Sequence, residues 1–205
     1  MLGFYNYTVY LTYVGLVSAV SGMFFAFGGN PKAATICLLL SGFCDMFDGK
    51  IARTKKDRTD EEKRFGIQID SLCDVVCFGV LPAMISFSVG ATAAWQLVIA
   101  ALFVLTGVIR LGYFNVMEET RQQTESTNRK SYMGLPITAS AIFVPLLMIF
   151  RSLLGESFPY VFTAMLAGLG FCYICPVKVK KPGLWGGILL LAAGALIFTA
   201  IILAK

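Results

Sequence analysis

Histidine is absent from all 205 residues of the chain. Its absence removes Ser-His-Asp and Cys-His nucleophilic catalysis, histidine metal ligation and imidazole proton shuttling together. Charge is scarce as well: 14% of residues are Asp, Glu, Lys or Arg, 57% are apolar, and the mean hydropathy is +0.75. Soluble domains average about 25% charged and about 45–50% apolar residues, so this composition implies an integral membrane protein with no separate soluble domain. Nucleic-acid binding is a poor reading of so apolar a chain, even at a net charge of +5. The opening MLGFYNYTVYLTYVGLVSAVSGMFF lacks the basic n-region and small-residue cleavage site of a signal peptide, and is expected to be a retained span. Cysteine does occur, at 37, 44, 73, 77, 172 and 175, each time inside an apolar run where a buried thiol acts as a small hydrophobe. Cys172 and Cys175 form a CxxC, but the βαβ setting of a thioredoxin-like redox pair is missing.

A hydrocarbon core about 30 Å thick takes about 20 helical residues to cross. Seven stretches meet that measure, near 6–28, 33–54, 66–89, 92–117, 134–152, 157–176 and 183–204, separated by turn-forming GGNPK, GLP, GESFP and VKKPG. Each is apolar around most of its circumference, as suits a lipid-embedded helix. The expected fold is therefore all-α, a polytopic membrane bundle of about seven transmembrane helices forming one domain over 1–205. Twelve of the 17 basic residues fall in alternate connections, 53–65, 118–133 and 177–182, against three on the opposite side (Lys32, Arg151 and Lys205). The positive-inside rule then places the amino terminus and those three connections in the cytoplasm. The same basic residues attract anionic lipid headgroups.

With histidine gone, carboxylates carry what chemistry remains. The segments CDMFDGKIAR (44–53) and FGIQIDSLCDVVCFGVLPA (65–83) hold Asp45, Asp48, Asp70 and Asp74 within apolar surroundings. One Asp at the middle of a membrane costs roughly 2.5–3.5 kcal/mol on insertion scales, so four of them imply use. Asp45 and Asp48 are three residues apart, and Gly66, Asp70 and Asp74 follow one another at steps of four, so each set shares a helix face. The polar connection RTKKDRTDEEKRF makes the two spans antiparallel neighbours. At 1.5 Å per residue, Asp48 and Asp45 lie about 7 and about 12 Å before Arg53, while Asp70 and Asp74 lie about 9 and about 15 Å beyond Arg64. All four acids are expected at similar depths, converging on one site.

Four carboxylates cannot all ionise together in a dry place without protons, basic partners or divalent cations. Oxygen-only ligation favours hard ions, Mg²⁺, Mn²⁺ or Ca²⁺. Two such ions would neutralise the set and still attract a diphosphate. Gly49, Ala52 and Gly66 leave room for a ligand to approach the helix backbones, although close helix packing explains small residues equally well. The alternatives for the aspartates are a structural polar network or a cation pathway. A transporter is expected to spread its acids through the membrane or to repeat broken helices, and here the acids cluster towards one face without an internal repeat.

Asp45-x-x-Asp48-Gly49-x-x-Ala52-Arg53 followed by Gly66-x-x-x-Asp70-x-x-x-Asp74 resembles the signature of the CDP-alcohol phosphotransferases, membrane enzymes that move a phosphatidyl-type group or a phospho-headgroup from a CDP-linked donor. The gap of 12 residues between Arg53 and Gly66 is a few longer than the family's usual connection. FGxxxDSLxDVVxFGVxPA at 65–83, RLxxFNV at 110–116 and GLPIT at 134–138 are similar to the phosphatidylserine synthase group of that family. Tyr113 departs from it, standing where relatives commonly have a second arginine, and the first span matches only loosely, with Thr12 its best counterpart.

The resemblance implies that Asp45, Asp48, Asp70 and Asp74 hold divalent cations, two Mg²⁺ or Mn²⁺. It further implies that Gly49, Ala52, Arg53 and Gly66, with Thr12, meet the nucleotide and diphosphate of CDP-diacylglycerol or CDP-archaeol. Asp74 is the implied general base for the hydroxyl of L-serine. A homodimer in the cell membrane with its active site facing the cytoplasm is likewise implied. Serine's carboxylate needs a cation, and Arg110 is the basic residue inside the fourth span, with a planar guanidinium suited to bidentate contact. The alternative is an arginine snorkelling to the interface. Asn115 is the expected helper for the ammonium group, Arg129 and Lys130 remain for a phosphate or anionic lipid, and Pro136 fits the first turn of a helix. Glycerol 3-phosphate or an inositol phosphate as acceptor would demand further cations near the site.

Overall fold

Asn6 opens the first helix: its side chain accepts from the Thr8 amide at 3.1 Å, serving a donor that a helix start leaves open. The protein is seen here as a computed structural model that describes residues 3–52, 54, 55, 57–124, 131–176, 178–180, 194 and 199. From Asn6, α1 (Tyr7–Phe27) runs to a turn where Gly29 takes φ +75°, and α2 (Pro31–Ala52) starts with proline at its first position, where the missing N–H is harmless. Gly15, Ala19, Gly22 and Ala26 line the buried face of α1. A Cβ on Gly22 would stand 2.8 Å from Cβ of Cys37, so the helices touch almost backbone to backbone. Ser41 Oγ donates to the Gly15 carbonyl at 2.8 Å, and Ser18 Oγ to that of Cys37 at 3.1 Å. In lipid, such close packing and interhelical hydrogen bonding replace the hydrophobic drive of water.

The third helix starts earlier than the sequence reading has it. There the charged run to residue 65 is a connection, whereas α3 spans Asp60–Ser88. The cause is a capping box: Thr59 Oγ1 accepts from the Glu62 amide and the Glu62 side chain accepts from the Thr59 amide, both at 3.1 Å. Asp60, Glu61 and Glu62 also sit at the positive end of the helix dipole. Immediately after Asp74 the helix widens to a π turn, Val75–Val80. Pro82 explains the widening, since it has no N–H and its ring crowds the carbonyl four residues back. That carbonyl, of Phe78, accepts instead from Ser140 Oγ at 2.9 Å.

Beyond a turn at Gly90 (φ +104°), α4 (Ala94–Thr124) continues past the expected end at 117, about 46 Å of helix at 1.5 Å per residue. Then come β1 (Ser131–Met133), α5 (Ile137–Ile149), a short helical turn Arg151–Leu154, α6 (Phe158–Ile174) and β2 (Lys178–Lys180). The two strands pair antiparallel, Tyr132 opposite Val179, and are the only departure from helix among the regular elements of the described residues. Pro136 lies one residue ahead of the first turn of α5, with ψ 142°, rather than inside it.

Among the described residues, four stretches are long and apolar enough to cross a membrane: Tyr7–Phe27, Asp60–Ser88, Ala94–Met117 and Arg151–Ile174. Ile137–Ile149 is apolar but shorter. α2 has the length, 22 residues, but carries charge towards both ends, Lys32 at one and Asp45, Asp48 and Lys50 at the other. These helices fit a multi-pass membrane protein. The stretch 183–204 lies outside the described residues except for 194 and 199. Phe78, Leu81, Ile85, Phe103, Phe158 and Phe162 centre the core where α3, α4 and α6 meet, while Val17, Phe24, Phe27 and Phe171 face outward, as a lipid-facing surface allows. Cys37, Cys44, Cys73 and Cys77 are buried, but Cys172 is exposed and Cys175 half-buried, so those two are not core hydrophobes; all six thiols are free.

Candidate functional site

The two aspartate pairs meet in the order that helix rise predicts. Asp48 comes within hydrogen-bonding reach of Asp70, and, deeper along both helices, Asp45 comes within reach of Asp74. One carboxylate oxygen from each of Asp45, Asp70 and Asp74 lies within 4.8 Å of the other two. Asp48 stands beside this trio, 7% exposed, with Oδ2 accepting from Thr12 Oγ1 at 2.9 Å. Ionised carboxylates only accept hydrogen bonds, so groups this close need a proton or a cation between them. The trio offers oxygen alone, the donor set that hard divalent ions prefer, and its residues fit such an ion.

α2 packs against the π turn and the last turns of α3 but scarcely against its first half, so the helices part where the aspartates begin. The gap is a cleft of about 500 Å³, counting its open mouth, lined by Thr8, Val9 and Thr12 of α1, Asp48, Gly49 and Ala52 of α2, Arg58, and Lys63, Gly66, Ile67 and Asp70 of α3. Four residues expected at the nucleotide, Thr12, Gly49, Ala52 and Gly66, thus share one cavity with Asp48 and Asp70. Arg53 lies outside the described residues. Asp45 and Asp74 sit beyond the lining, one helical turn further in.

Thr8, Val9, Arg58, Lys63 and Ile67 were missed by the sequence reading. Thr8 was within reach of it, being four residues from Thr12 and so on the same face. Arg58 gave no such signal, because its place depends on the path of the connection. Its guanidinium lies across Gly66, where a Cβ would stand 2.6 Å from Nη2.

Arg110 and Asn115 are not brought into that cleft. Asn115 lines a second one, on the α4 side of α3, with Asp60, Lys63, Arg64, Ile67, Gln68 and Glu119. Its side chain accepts from Ser71 Oγ at 3.0 Å and donates to Gln68 at 3.5 Å. Lys63 and Ile67 border both cavities. Arg110 is 7% exposed, lines neither, and lies 4.6 Å from the centroid of the Phe114 ring.

Known proteins resemble the chain across this region. A protein of Saccharomyces cerevisiae named CDP-diacylglycerol–serine O-phosphatidyltransferase is 34% identical over 134 residues, 63% of this chain and 47% of its own length. A Helicobacter pylori protein of the same name is 34% identical over 142 residues, 68% of this chain and 54% of its own. An archaetidylserine synthase of Methanothermobacter thermautotrophicus is 33% identical over 135 residues, 64% of this chain and 54% of its own. The chain spans about half the length of these curated relatives. Residues 5–175, which include both aspartate pairs and both clefts, match the family described as CDP-alcohol phosphatidyltransferase, and the chain belongs to that family.

Proposed function

We propose that the chain is a phospholipid synthase that transfers the phosphatidyl or archaetidyl group of a CDP-activated lipid to the hydroxyl of L-serine and releases CMP. The observation that carries this reading is the joining of small residues and carboxylates in one cleft, Gly49, Ala52 and Gly66 beside Asp48 and Asp70, with Asp45 and Asp74 directly behind. The names of the relatives, CDP-diacylglycerol–serine O-phosphatidyltransferase and archaetidylserine synthase, support serine as acceptor.

Asp45, Asp48, Asp70 and Asp74 would hold the divalent cations, Mg²⁺ or Mn²⁺ and two in number, which when bound supply Lewis-acid stabilisation of charge on the diphosphate. Thr12 holds Asp48 in place. Gly49, Ala52 and Gly66 let the nucleotide lie against the helix backbones. Asp74 takes the proton of the serine hydroxyl as that oxygen bonds to the lipid-side phosphorus. The bond from this phosphorus to the bridging oxygen breaks, and CMP leaves with its electrons. Arg110 receives the serine carboxylate, and Asn115, in the adjoining cleft that shares Lys63 and Ile67, receives the ammonium group. The whole is one membrane domain of seven spans, homodimeric, in the cell membrane, with its amino terminus and the clefts towards the cytoplasm.

The test is CMP release by purified protein in detergent, given CDP-diacylglycerol, Mg²⁺ or Mn²⁺, and one acceptor at a time. Release with L-serine alone is expected. Release only with glycerol 3-phosphate or inositol 1-phosphate would overturn the acceptor, and release with none would overturn the reaction.

A further inference from the structure

The connection between α2 and α3 reaches into the cleft. Arg58 is held by its own neighbourhood: Nη1 donates to the Ala52 carbonyl at 3.5 Å and Nη2 to the Glu62 carbonyl at 3.2 Å. Glu62 in turn fixes the connection, accepting from Lys55 Nζ at 2.8 Å, from Asn6 Nδ2 at 3.1 Å and from the Thr59 amide. These contacts lay the guanidinium over Gly66, the position where any side chain would displace it. Nε of Arg58 is buried and has no hydrogen-bond partner among the described residues. A buried donor without an acceptor is unfavourable, and an arriving acceptor relieves it. Lys63, the other cation among the described residues of the cleft, is instead engaged by Asp60 at 2.9 Å and half exposed.

We propose that Arg58 is a binding residue for the diphosphate of the nucleotide-linked donor, contributed by the connection and not by the aspartate-bearing turns. The inference rests on the reading of the cleft as the nucleotide site. Two main-chain carbonyls, each taking one N–H, hold the guanidinium at the wall shared by Ala52 and Gly66, and the three N–H groups they leave, that of Nε among them, are donors for phosphate oxygens. With Asp48 and Asp70 occupied by cations, Arg58 gives the cleft the fixed positive charge that an anionic ligand needs, in the fork geometry that phosphate favours. The longer spacing between Arg53 and Gly66 is then the length of chain that brings Arg58 back over the glycine.

The experiment is CDP binding by titration calorimetry to full-length protein in detergent with Mg²⁺ throughout, for the wild type, Arg58→Gln and Arg58→Lys. Melting temperature and serine KM are measured alongside. Arg58→Gln is expected to weaken CDP binding about tenfold, the loss of one charge-assisted contact. Arg58→Lys should fall between it and the wild type, with serine KM and melting temperature unchanged in both. Unaltered CDP affinity in Arg58→Gln would overturn the proposal. So would a fall in melting temperature with a matching rise in serine KM in both variants, the mark of a residue that only clamps the connection. A wild type that fails to bind CDP would overturn the nucleotide reading of the cleft itself, and Arg58 with it.

Discussion

The Thr12 hydroxyl donates to Oδ2 of Asp48 across 2.9 Å, linking α1 to α2 at the wall of the cleft. Both residues are more than nine-tenths buried, and the hydroxyl is a donor that the protein itself supplies to this carboxylate. Hydrogen bonds to charged groups are worth about 1.5–3 kcal/mol. Thr12→Val, which keeps the shape and drops the hydroxyl, is expected to lower kcat/KM for CMP release by roughly tenfold to a hundredfold. Thr12→Ser should retain most of the activity. Equal rates for the Val variant and the wild type would mean that Asp48 holds its place without help.

If Asp45, Asp70 and Asp74, whose oxygens converge within 4.8 Å, hold a cation as proposed, they act as a unit. Asp45→Asn, Asp70→Asn and Asp74→Asn are each expected to lower turnover by more than about a hundredfold, since loss of even an outer partner of a metal site costs about 10–100-fold. Pairs of these changes should cost little more than single ones, as in any set that works together. A chelator should abolish activity and added Mg²⁺ or Mn²⁺ restore it. Multiplicative losses in the double variants would separate the aspartates into independent roles.

Much of this candidate site is legible in the sequence, because a carboxylate in lipid is expensive and its spacing on a helix is arithmetic. The convergence of Asp45, Asp48, Asp70 and Asp74 at similar depths follows from the rise per residue along two antiparallel helices. Other features were hidden for equally physical reasons. The early start of α3 was written in Thr59-x-x-Glu62, but the charges around it made the run look like a loop. The π turn is a tertiary compromise, needing both Pro82 and a distant Ser140 to serve the Phe78 carbonyl. Arg58 could not be placed, because the path of a connection depends on what Glu62 holds.

Ser140 offers a direct check on that compromise. Its hydroxyl serves the Phe78 carbonyl, left open ahead of Pro82, and also lies 3.1 Å from the Ile137 carbonyl. Ser140→Ala leaves a buried acceptor unserved, at a cost of about 1–3 kcal/mol. A lower melting temperature in detergent, with the KM for CDP-diacylglycerol unchanged, is the expected outcome. Unchanged melting would show that the π turn satisfies itself.

Gly22 tests the closeness of α1 and α2. An added Cβ would fall 2.8 Å from Cys37 Cβ and 3.1 Å from both methyls of Leu81, none of which can swing clear as a long side chain does. Overpacking of this kind costs about 1–3 kcal/mol. Gly22→Ala should therefore lower the melting temperature, and Gly22→Leu should lower it further, while nucleotide affinity in whatever protein remains folded stays as in the wild type. The site is far along α1 from Thr12, so a change in CDP affinity without loss of stability would mean that the helix contact sets the width of the cleft.

Arg110 is the residue on which the choice of acceptor turns. It is buried, with its guanidinium against the face of Phe114, and it lines neither cleft. A lysine keeps the charge but loses both the planar stacking and the bidentate grip. If Arg110 receives the serine carboxylate, Arg110→Lys raises the serine KM, by roughly tenfold for a lost charge-assisted contact, and leaves the KM for CDP-diacylglycerol alone. If its place is only to pack α4 beside Phe114, melting temperature falls and both KM values hold. Steady-state kinetics with each substrate varied in turn, together with a melting curve, separates the two. A rise in the KM of CDP-diacylglycerol alone would move Arg110 to the donor, and the serine carboxylate would then need another cation.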